Sequence, residues 1–238
     1  YMNATQGWVP TIDEAVADAP SKTFPNDEGV MAFGHATTAV SNLISNTGVV
    51  ASDTAGVGTA RAYVGGCKYG LDKGIMAYGK IAGGAYFSVS NLVSNAGVIA
   101  TDTTGVGTAR QGAKACSYGG DKGIFGYGTT GSNVSMTNLV SNVGVVGTDV
   151  TGVGTARASL AACEYGGDKG IFGYGGNVAS MTNLVTNAGV VGTDVTGVGT
   201  ARNEISACEY GGDKGIFGFG HDGSIFVGMT NLVSNTGV

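Results

Sequence analysis

One block of sequence recurs five times along this chain, and its spacing limits the folds that the chain can adopt. The block reads S/T-N-L-V/I-S/T-N, and its first asparagine is in turn Asn42, Asn91, Asn138, Asn183 and Asn231. The intervals between these asparagines are 49, 47, 45 and 48 residues. A fixed period of roughly 20 to 50 residues indicates a solenoid, a propeller or an array, in which each unit packs on its neighbours.

Each unit is predicted to contain four short β-strands joined by turns. In the third copy, apolar or alternating runs are separated by turn signals such as Gly-Gly-Asp-Lys and Asn-Val-Gly. No window of helical length places apolar residues at the i, i+3, i+4 and i+7 positions of one helix face. The four predicted strands of this copy are residues 111–118, 123–128, 137–142 and 145–149.

Four antiparallel strands per unit are typical of a β-propeller blade. Five copies therefore predict an all-β, five-bladed β-propeller of four-stranded antiparallel blades. The chain length agrees, because 238 residues divided among five blades leave about 48 residues for each blade. The alternative is a β-solenoid with about two rungs per repeat, although no shorter period is apparent within the unit.

A second motif, GVGTAR, occurs only four times, at residues 56–61, 105–110, 152–157 and 197–202. The fifth unit therefore lacks its outer strand and the GVGTAR segment that leads from each other unit to the next. We expect the N-terminal segment to close the ring, because closure removes exposed strand edges. Residues 3–11, with Trp8 as an apolar anchor, would supply the outer strand. Residues 21–24 would supply an inner strand, with Phe24 at the position that a tyrosine occupies in the other units. Pro20 and Pro25 oppose this pairing.

The predicted organisation is accordingly a short N-terminal segment followed by repeats. Residues 1–28 are assigned to ring-closing strands and residues 29–238 to the propeller. The units are predicted to start near residues 29, 62, 111, 158 and 203.

The order of elements resembles the kelch repeat over residues 29–238. The GVGTAR arginines occupy the position of the arginine that precedes a kelch inner strand, and GIFGYGG at 170–176 matches the kelch strand that ends in Gly-Gly. The other four copies have one glycine where kelch repeats have two, and the repeated outer-strand tryptophan is absent. The resemblance implies a kelch-like β-propeller.

The near-identity of the copies is similar to that in repeat-rich proteins of tailed phages. Residues 137–157 and 182–202 are almost the same letter for letter, and QGWVP followed by EAVADAPS resembles connecting segments of phage tail fibres. This resemblance implies a virion protein whose partners are other virion proteins or a host-surface glycan or protein. The chain begins at Tyr1 and ends within a unit, so we expect flanking sequence through which any homo-oligomer forms.

Composition argues against several functional classes. The net charge is −5, only 12% of residues are charged, and the 12 lysines and arginines are spread over the repeats, so we expect no nucleic-acid partner. No apolar run is long enough to span a membrane. Outside a virion, the protein is expected to be soluble, in the cytoplasm or outside the cell.

No catalytic pattern is apparent, and we predict a protein without enzymatic activity, cofactor or metal. The two histidines lack the partners of a nucleophilic triad, and no helix follows the glycine-rich stretches as a phosphate loop requires. A single aspartate per turn, such as Asp72, supplies too few oxygens for calcium and is expected to form the turn.

The four cysteines occupy the same inner-strand position, six residues after each GVGTAR arginine. Equivalent atoms on neighbouring blades are about 10 Å apart. That separation is too long for a shared zinc ion or for a disulfide. We therefore expect four buried free thiols, at Cys67, Cys116, Cys163 and Cys208.

Two sets of residues are candidates for ligand contact. The first is a predicted ring of arginines around one mouth of the channel, where their guanidinium groups would bind an anionic ligand. The alternative for these arginines is a structural pair with a nearby aspartate or with backbone carbonyls. The four are Arg61, Arg110, Arg157 and Arg202.

The second set lies in the loop between the second and third strands, where the copies differ most in length and sequence. Variable loops on one face of a repeat protein are often its binding face. Aromatic rings beside polar groups suit stacking on a sugar or anchoring of a protein; the alternative is drift of copied loops without function. The candidates are His35, Tyr86, Phe87, His221, Asp222 and Phe226.

Three functions remain open for this predicted propeller. The first is a virion structural or host-adhesion domain, which is the function we favour. The second is a lectin with repeated weak sites, whose sugar binding would scale with blade number. The third is an intracellular protein-interaction propeller with one asymmetric site built from residues 80–89 and 221–229.

Overall fold

The structure is a computed structural model that describes residues 2–3, 7–8, 28–35 and 37–237. Within these residues all regular structure is β, in sixteen strands without a helix. Consequently, no helix of the described chain is long and apolar enough to cross a membrane. The all-β prediction is confirmed.

Five antiparallel sheets follow one another along the chain, one for each repeat unit. In each three-stranded sheet the second strand of the unit is central. The first unit contains β3 (Gly29–Gly34) and β4 (Thr38–Ile44). The second contains β5 (Gly65–Tyr69), β6 (Lys73–Ala77) and β7 (Ser90–Val93), and the third β8 (Lys114–Tyr118), β9 (Lys122–Gly126) and β10 (Thr137–Val140). The fourth contains β11 (Ala161–Tyr165), β12 (Lys169–Gly175) and β13 (Ala179–Val185), and the fifth β14 (Ser206–Tyr210), β15 (Lys214–Gly218) and β16 (Thr230–Val233).

The N-terminal strands form a sheet of their own. β1 (Met2–Asn3) pairs antiparallel with β2 (Gly7–Trp8), and neither pairs with the fifth unit within the described residues. Most of the predicted outer strand at 3–11, and all of the predicted inner strand at 21–24, lie outside the described residues. Closure of the ring by this segment therefore stays a prediction.

The predicted fourth strand is present only as isolated bridges. In the second unit Ile99 pairs with Val93 and Thr103 with Ser90. Between these bridges the side chain of Asn91 donates to the carbonyl of Ala100 at 3.0 Å. The Asn91 side chain thus bonds the Ala100 carbonyl, which a backbone N–H group would bond in a continuous antiparallel pairing. This explains why the segment is not a regular strand.

Neighbouring units contact through an aromatic residue at the end of each second strand. Tyr78 has a left-handed backbone, with φ of 66°, and its ring lies 5.4 Å from the ring of Phe125 in the next unit, edge to face. The guanidinium of Arg110, also from the next unit, lies 4.0 Å from the centre of the same ring. Equivalent contacts join Tyr127 to Phe172 and Arg157, and Tyr174 to Phe217 and Arg202.

The GVGTAR segment connects one unit to the next, which explains its exact repetition. A Cβ on Gly152 would lie 2.7 Å from the carbonyl carbon of Ser135 in the preceding unit, so only glycine fits there. Two residues later Gly154 has φ of 74°, and its Cβ would lie 2.6 Å from Asn183 Nδ2 in the following unit. The segment therefore lies against both neighbours at once.

The units curve around a common axis, in a propeller-like arrangement. The first strands β5, β8, β11 and β14 contact one another in sequence order. Lys68 Nζ on β5 lies 2.8 Å from Glu164 Oε2 on β11 and 3.4 Å from Glu209 Oε2 on β14. Contact between units three apart would not occur in a linear stack such as the solenoid alternative. Burial raises the pKa of Glu164, and Lys68 opposes that rise.

The fifth unit leaves exposed the face that the other units bury. Tyr210 is 38% exposed, whereas the equivalent Tyr165 is 3% exposed. Leu232 and Phe219 are 65% and 63% exposed. Cys208 is also exposed, while Cys116 and Cys163 are buried and Cys67 is intermediate, all four as free thiols. The prediction of four buried cysteines is therefore confirmed for Cys116 and Cys163, met only in part for Cys67, and wrong for Cys208, because no described residue of a following unit covers β14.

Candidate functional site

The four arginines predicted to ring a channel mouth lie inside the protein. Each side chain is at most 1% exposed. Arg110 donates from Nε to Tyr127 O at 2.9 Å, from Nη1 to Thr108 O at 3.1 Å and from Nη2 to Asn138 Oδ1 at 2.7 Å. Arg61 and Arg157 make the equivalent three bonds, and Arg202 makes the equivalents from Nη1 and Nη2.

An aspartate completes each arginine cluster in the second, third and fourth units. Asp149 accepts hydrogen bonds from Asn138 Nδ2 at 2.9 Å and from Thr108 Oγ1 at 2.6 Å, and lies 3.9 Å from Arg110 Nη1. Burial of Asp149 favours its neutral form, but the bonds from Thr108 and Asn138 outweigh burial and lower the pKa of its carboxyl. These contacts match the structural alternative, and they leave the guanidinium groups out of reach of an external ligand.

The loop residues predicted to contact a ligand are dispersed in the structure. Tyr86 and Phe87 are half-buried in the second unit, where Phe87 N donates to Gly79 O at 2.9 Å. In the fifth unit Phe226 is 74% exposed, and its ring lies 5.0 Å from that of His221. Asp222 Oδ1 accepts from the backbone of Ser224 and Ile225 at 2.8 and 2.9 Å, which lowers the pKa of its carboxyl. Asp222 thus shapes its own loop.

A cavity of about 710 Å³ is lined by residues from all five units. Among the predicted candidates only His35 lies in its wall. The other wall residues come mainly from the short segments between each arginine and the following first strand. Those segments contribute Tyr63, Gln111, Gly112, Ala158, Ser159, Leu160, Glu204 and Ile205, and the rest of the wall is Lys114, Thr129 and Ser206.

One wall position recurs in four units with a different residue each time. The second residue after each arginine is Tyr63, Gly112, Ser159 and Glu204 in turn, with φ of 57°, 64°, 53° and 52°. Left-handed backbone is unfavourable for residues other than glycine and is often found at functional sites. The turn brings an aromatic ring, a hydroxyl and a carboxylate to one cavity.

The wall combines aromatic, polar and charged groups. The His35 ring contacts the Tyr63 ring edge to face at 5.6 Å, and Lys80 Nζ lies 5.6 Å from the centre of the same tyrosine ring. Tyr63 remains 47% exposed. Gln111 pairs through its backbone with Thr129, and both residues line the cavity. Such a surface can stack on one face of a ligand and hydrogen-bond its edge.

The sequence contained a signal for this site that the loop-based prediction missed. The segments 62–66, 111–115, 158–162 and 203–207 read AYVGG, QGAKA, ASLAA and NEISA. They differ between copies although they lie between near-identical motifs. The loop-based prediction considers variation only in the longer loops, and it assigns these shorter segments to strands.

Two other features do not form a site. No group of three or more His, Cys, Asp or Glu side chains in the described chain is arranged to hold a metal ion. A second cavity, of about 410 Å³, lies between the first and second units and includes Glu28. Because Glu28 directly follows residues that are not described, we assign no ligand to this cavity.

Comparison with known proteins adds no family to this description. No family model matches the chain, and no curated protein is significantly similar to it. The likenesses to kelch repeats and to phage tail proteins therefore stay predictions from the sequence.

Proposed function

We propose that this protein is a non-catalytic binding module that holds a glycan in the cavity lined by all five units. The observation that carries the proposal is the distribution of variation among the copies. The repeated residues Arg110 and Gly152 are buried or lie in contacts between units, although repeated valines such as Val145 and Val190 are exposed. Residues that differ, such as Tyr63, Ser159 and Glu204, meet at the cavity.

The chemistry of the wall supports a polyhydroxylated ligand. Tyr63 offers an aromatic face, and Gln111, Ser159 and Glu204 offer donors and acceptors for hydroxyl groups. A lectin with repeated equal sites would need the same residue at the equivalent positions, and these positions differ. One asymmetric site is therefore the arrangement that we propose.

We also propose that the five sheets are the blades of a closed five-bladed propeller. The fifth and first units each carry one partner of a further contact of the kind that joins Tyr174 to Phe217. Phe219 occupies the position of Tyr174, and Met31, which is 57% exposed, occupies the position of Phe217. A Cβ added to Gly237 would lie 2.9 Å from the Tyr165 ring. A Cβ added to the equivalent Gly48 would have no neighbour within 4 Å. Tyr210 is the equivalent partner for Gly48.

A protein partner is the second candidate, favoured by the exposed apolar loop of the fifth unit. Ile225 and Phe226 are 63% and 74% exposed. Adjacent exposed apolar side chains mark protein contacts more often than isolated ones do. A place in a virion appendage, with a host-surface glycan as ligand, stays a prediction based on the sequence resemblance.

A glycan array with the whole chain tests the proposed site. The parent protein should bind at least one glycan, and Tyr63→Gly should weaken that binding at least about tenfold, the equivalent of about 1.4 kcal/mol. Glycine is the residue at the equivalent position 112, so the left-handed backbone is retained while the ring is removed.

Tyr86→Ala is the matched control, because it removes a half-buried tyrosine outside the cavity. Its binding should equal that of the parent. If Tyr86→Ala abolishes binding and Tyr63→Gly does not, the site lies in the loops. If the parent binds no glycan, the carbohydrate function is wrong and the apolar loop becomes the surface to examine.

A further inference from the structure

Lys114 is an unusual residue at its position in the repeat. It begins β8 and lines the cavity. The equivalent residues of the other units are Gly65, Ala161 and Ser206, all small. Only the third unit therefore brings a long cationic side chain to this point of the wall.

The ammonium of Lys114 has no partner among the residues that the structure describes. It makes no hydrogen bond, ion pair or ring contact with them. Every other described lysine lies near a carboxylate or an aromatic ring. Burial lowers the pKa of Lys114. A partly desolvated charge without a counter-charge is unfavourable, so an anionic ligand group would compensate it.

Gln111 adds a second unsatisfied group to the same cavity. Its Oε1 atom is buried and accepts no hydrogen bond in the structure. Gln111 and Lys114 both line the cavity and lie three residues apart. A ligand that carries an anionic group and a hydroxyl donor would satisfy both side chains at once.

A carboxylate fits this wall better than a phosphate or a sulfate. Dianion sites usually combine several cations or an arginine fork. Here Lys114 is the only lysine or arginine that lines the cavity in the described chain, because Lys80 contacts the Tyr63 ring from outside the wall, and Glu204 contributes a negative charge. The four arginines are buried, and every guanidinium donates to neighbouring protein groups, with Arg202 Nε alone lacking an acceptor among the described residues. A single negative charge therefore matches the single lysine.

We propose that the cavity selects a carboxylated sugar, with the carboxylate at Lys114, a hydroxyl at Gln111 and the sugar ring against Tyr63. This inference rests on the proposed function, because it names the ligand class of the same site. The cavity volume of about 710 Å³ lies within the usual range of about 300 to 1,000 Å³ for small-molecule sites. A mono- or disaccharide is the ligand size that we expect.

Titration calorimetry with matched sugar pairs tests this selectivity. The pairs are methyl glucuronide with methyl glucoside and methyl galacturonide with methyl galactoside. At least one acidic member should bind about 10 to 100 times more tightly than its neutral counterpart, the usual effect of a hydrogen bond to a charged group. Lys114→Ala, which places the residue of position 161 at 114, should abolish that difference.

Lys122→Ala is the control, because Lys122 pairs with Asp121 in a turn and is absent from the cavity wall. This variant should keep the preference for the acidic sugar. The preference should also decline at alkaline pH, because burial lowers the pKa of Lys114 and only its protonated form attracts the carboxylate.

The outcomes separate this inference from the proposed function. Equal binding of acidic and neutral sugars, with loss in Tyr63→Gly, would overturn the role of Lys114 and leave the glycan site intact. A preference that persists in Lys114→Ala would also overturn it. Equally tight binding of acetate or inorganic phosphate alone would show that the cavity selects an anion and not a sugar. Binding of no sugar by the parent would overturn both proposals.

Discussion

Replacing Asn138 with alanine should lower the free energy of unfolding by about 3 to 5 kcal/mol, the cost of breaking a buried charged network. Asn138 is fully buried and bonds three groups, Arg110 Nη2 at 2.7 Å, Gly147 O at 3.0 Å and Asp149 Oδ1 at 2.9 Å. Without the amide, the buried guanidinium loses an acceptor and Asp149 loses a donor. Urea unfolding, with the slope of the transition checked for constancy, measures the change.

Asn133→Ala is the matched control, because Asn133 is an exposed asparagine in the same unit. Its effect should stay within about 0.5 kcal/mol, as is usual for surface positions. Equal stability of the two variants would contradict the structural role assigned to the arginine clusters. The arginines would then have to be reconsidered as ligand-binding residues.

Phe219→Ala should lower the free energy of unfolding by about 3 kcal/mol, although Phe219 is 63% exposed in the structure. The proposed closed ring buries this side chain against Met31, as Phe217 is buried against Tyr174. A double-mutant cycle with Met31→Ala should give a coupling energy of at least about 1 kcal/mol, because residues in contact do not act additively.

The control cycle pairs Phe219→Ala with Met76→Ala, which occupies the position of Met31 in the second unit. No coupling is expected there. A loss of less than about 0.5 kcal/mol for Phe219→Ala, without coupling to Met31, would mean that the end faces do not meet. Coupling that appears only in a dimer, as judged by sedimentation, would place the contact between two chains and contradict closure within one.

The repeat made the core of each unit predictable from sequence. The spacing of the asparagine blocks and the turn at Gly-Gly-Asp-Lys correctly located the second and third strands, such as β9 and β10. The fourth strand was less predictable, because its ladder depends on where the Asn91 side chain donates. Alternation of residues along the chain does not show such a bond.

The site was harder to predict than the fold. An arginine in a glycine-rich repeat suits either an anion site or a buried pair, and only the contacts of Arg110 with Tyr127, Thr108 and Asn138 decide between them. Tyr63, Ser159 and Glu204 belong to three different units, and only the curvature around the axis brings them to one cavity. Of the residues that loop variation predicts, only His35 lines the cavity.

Backbone hydrogen exchange, with and without the glycan that binds most tightly on the array, tests the central claim most directly. Bound glycan should slow exchange in residues 62–64, 111–114, 158–160 and 203–206, which supply most of the cavity wall. These four segments should respond together, because one ligand contacts them all. Slowed exchange confined to residues 80–89 and 221–229, with these segments unchanged, would place the site in the loops and contradict the account.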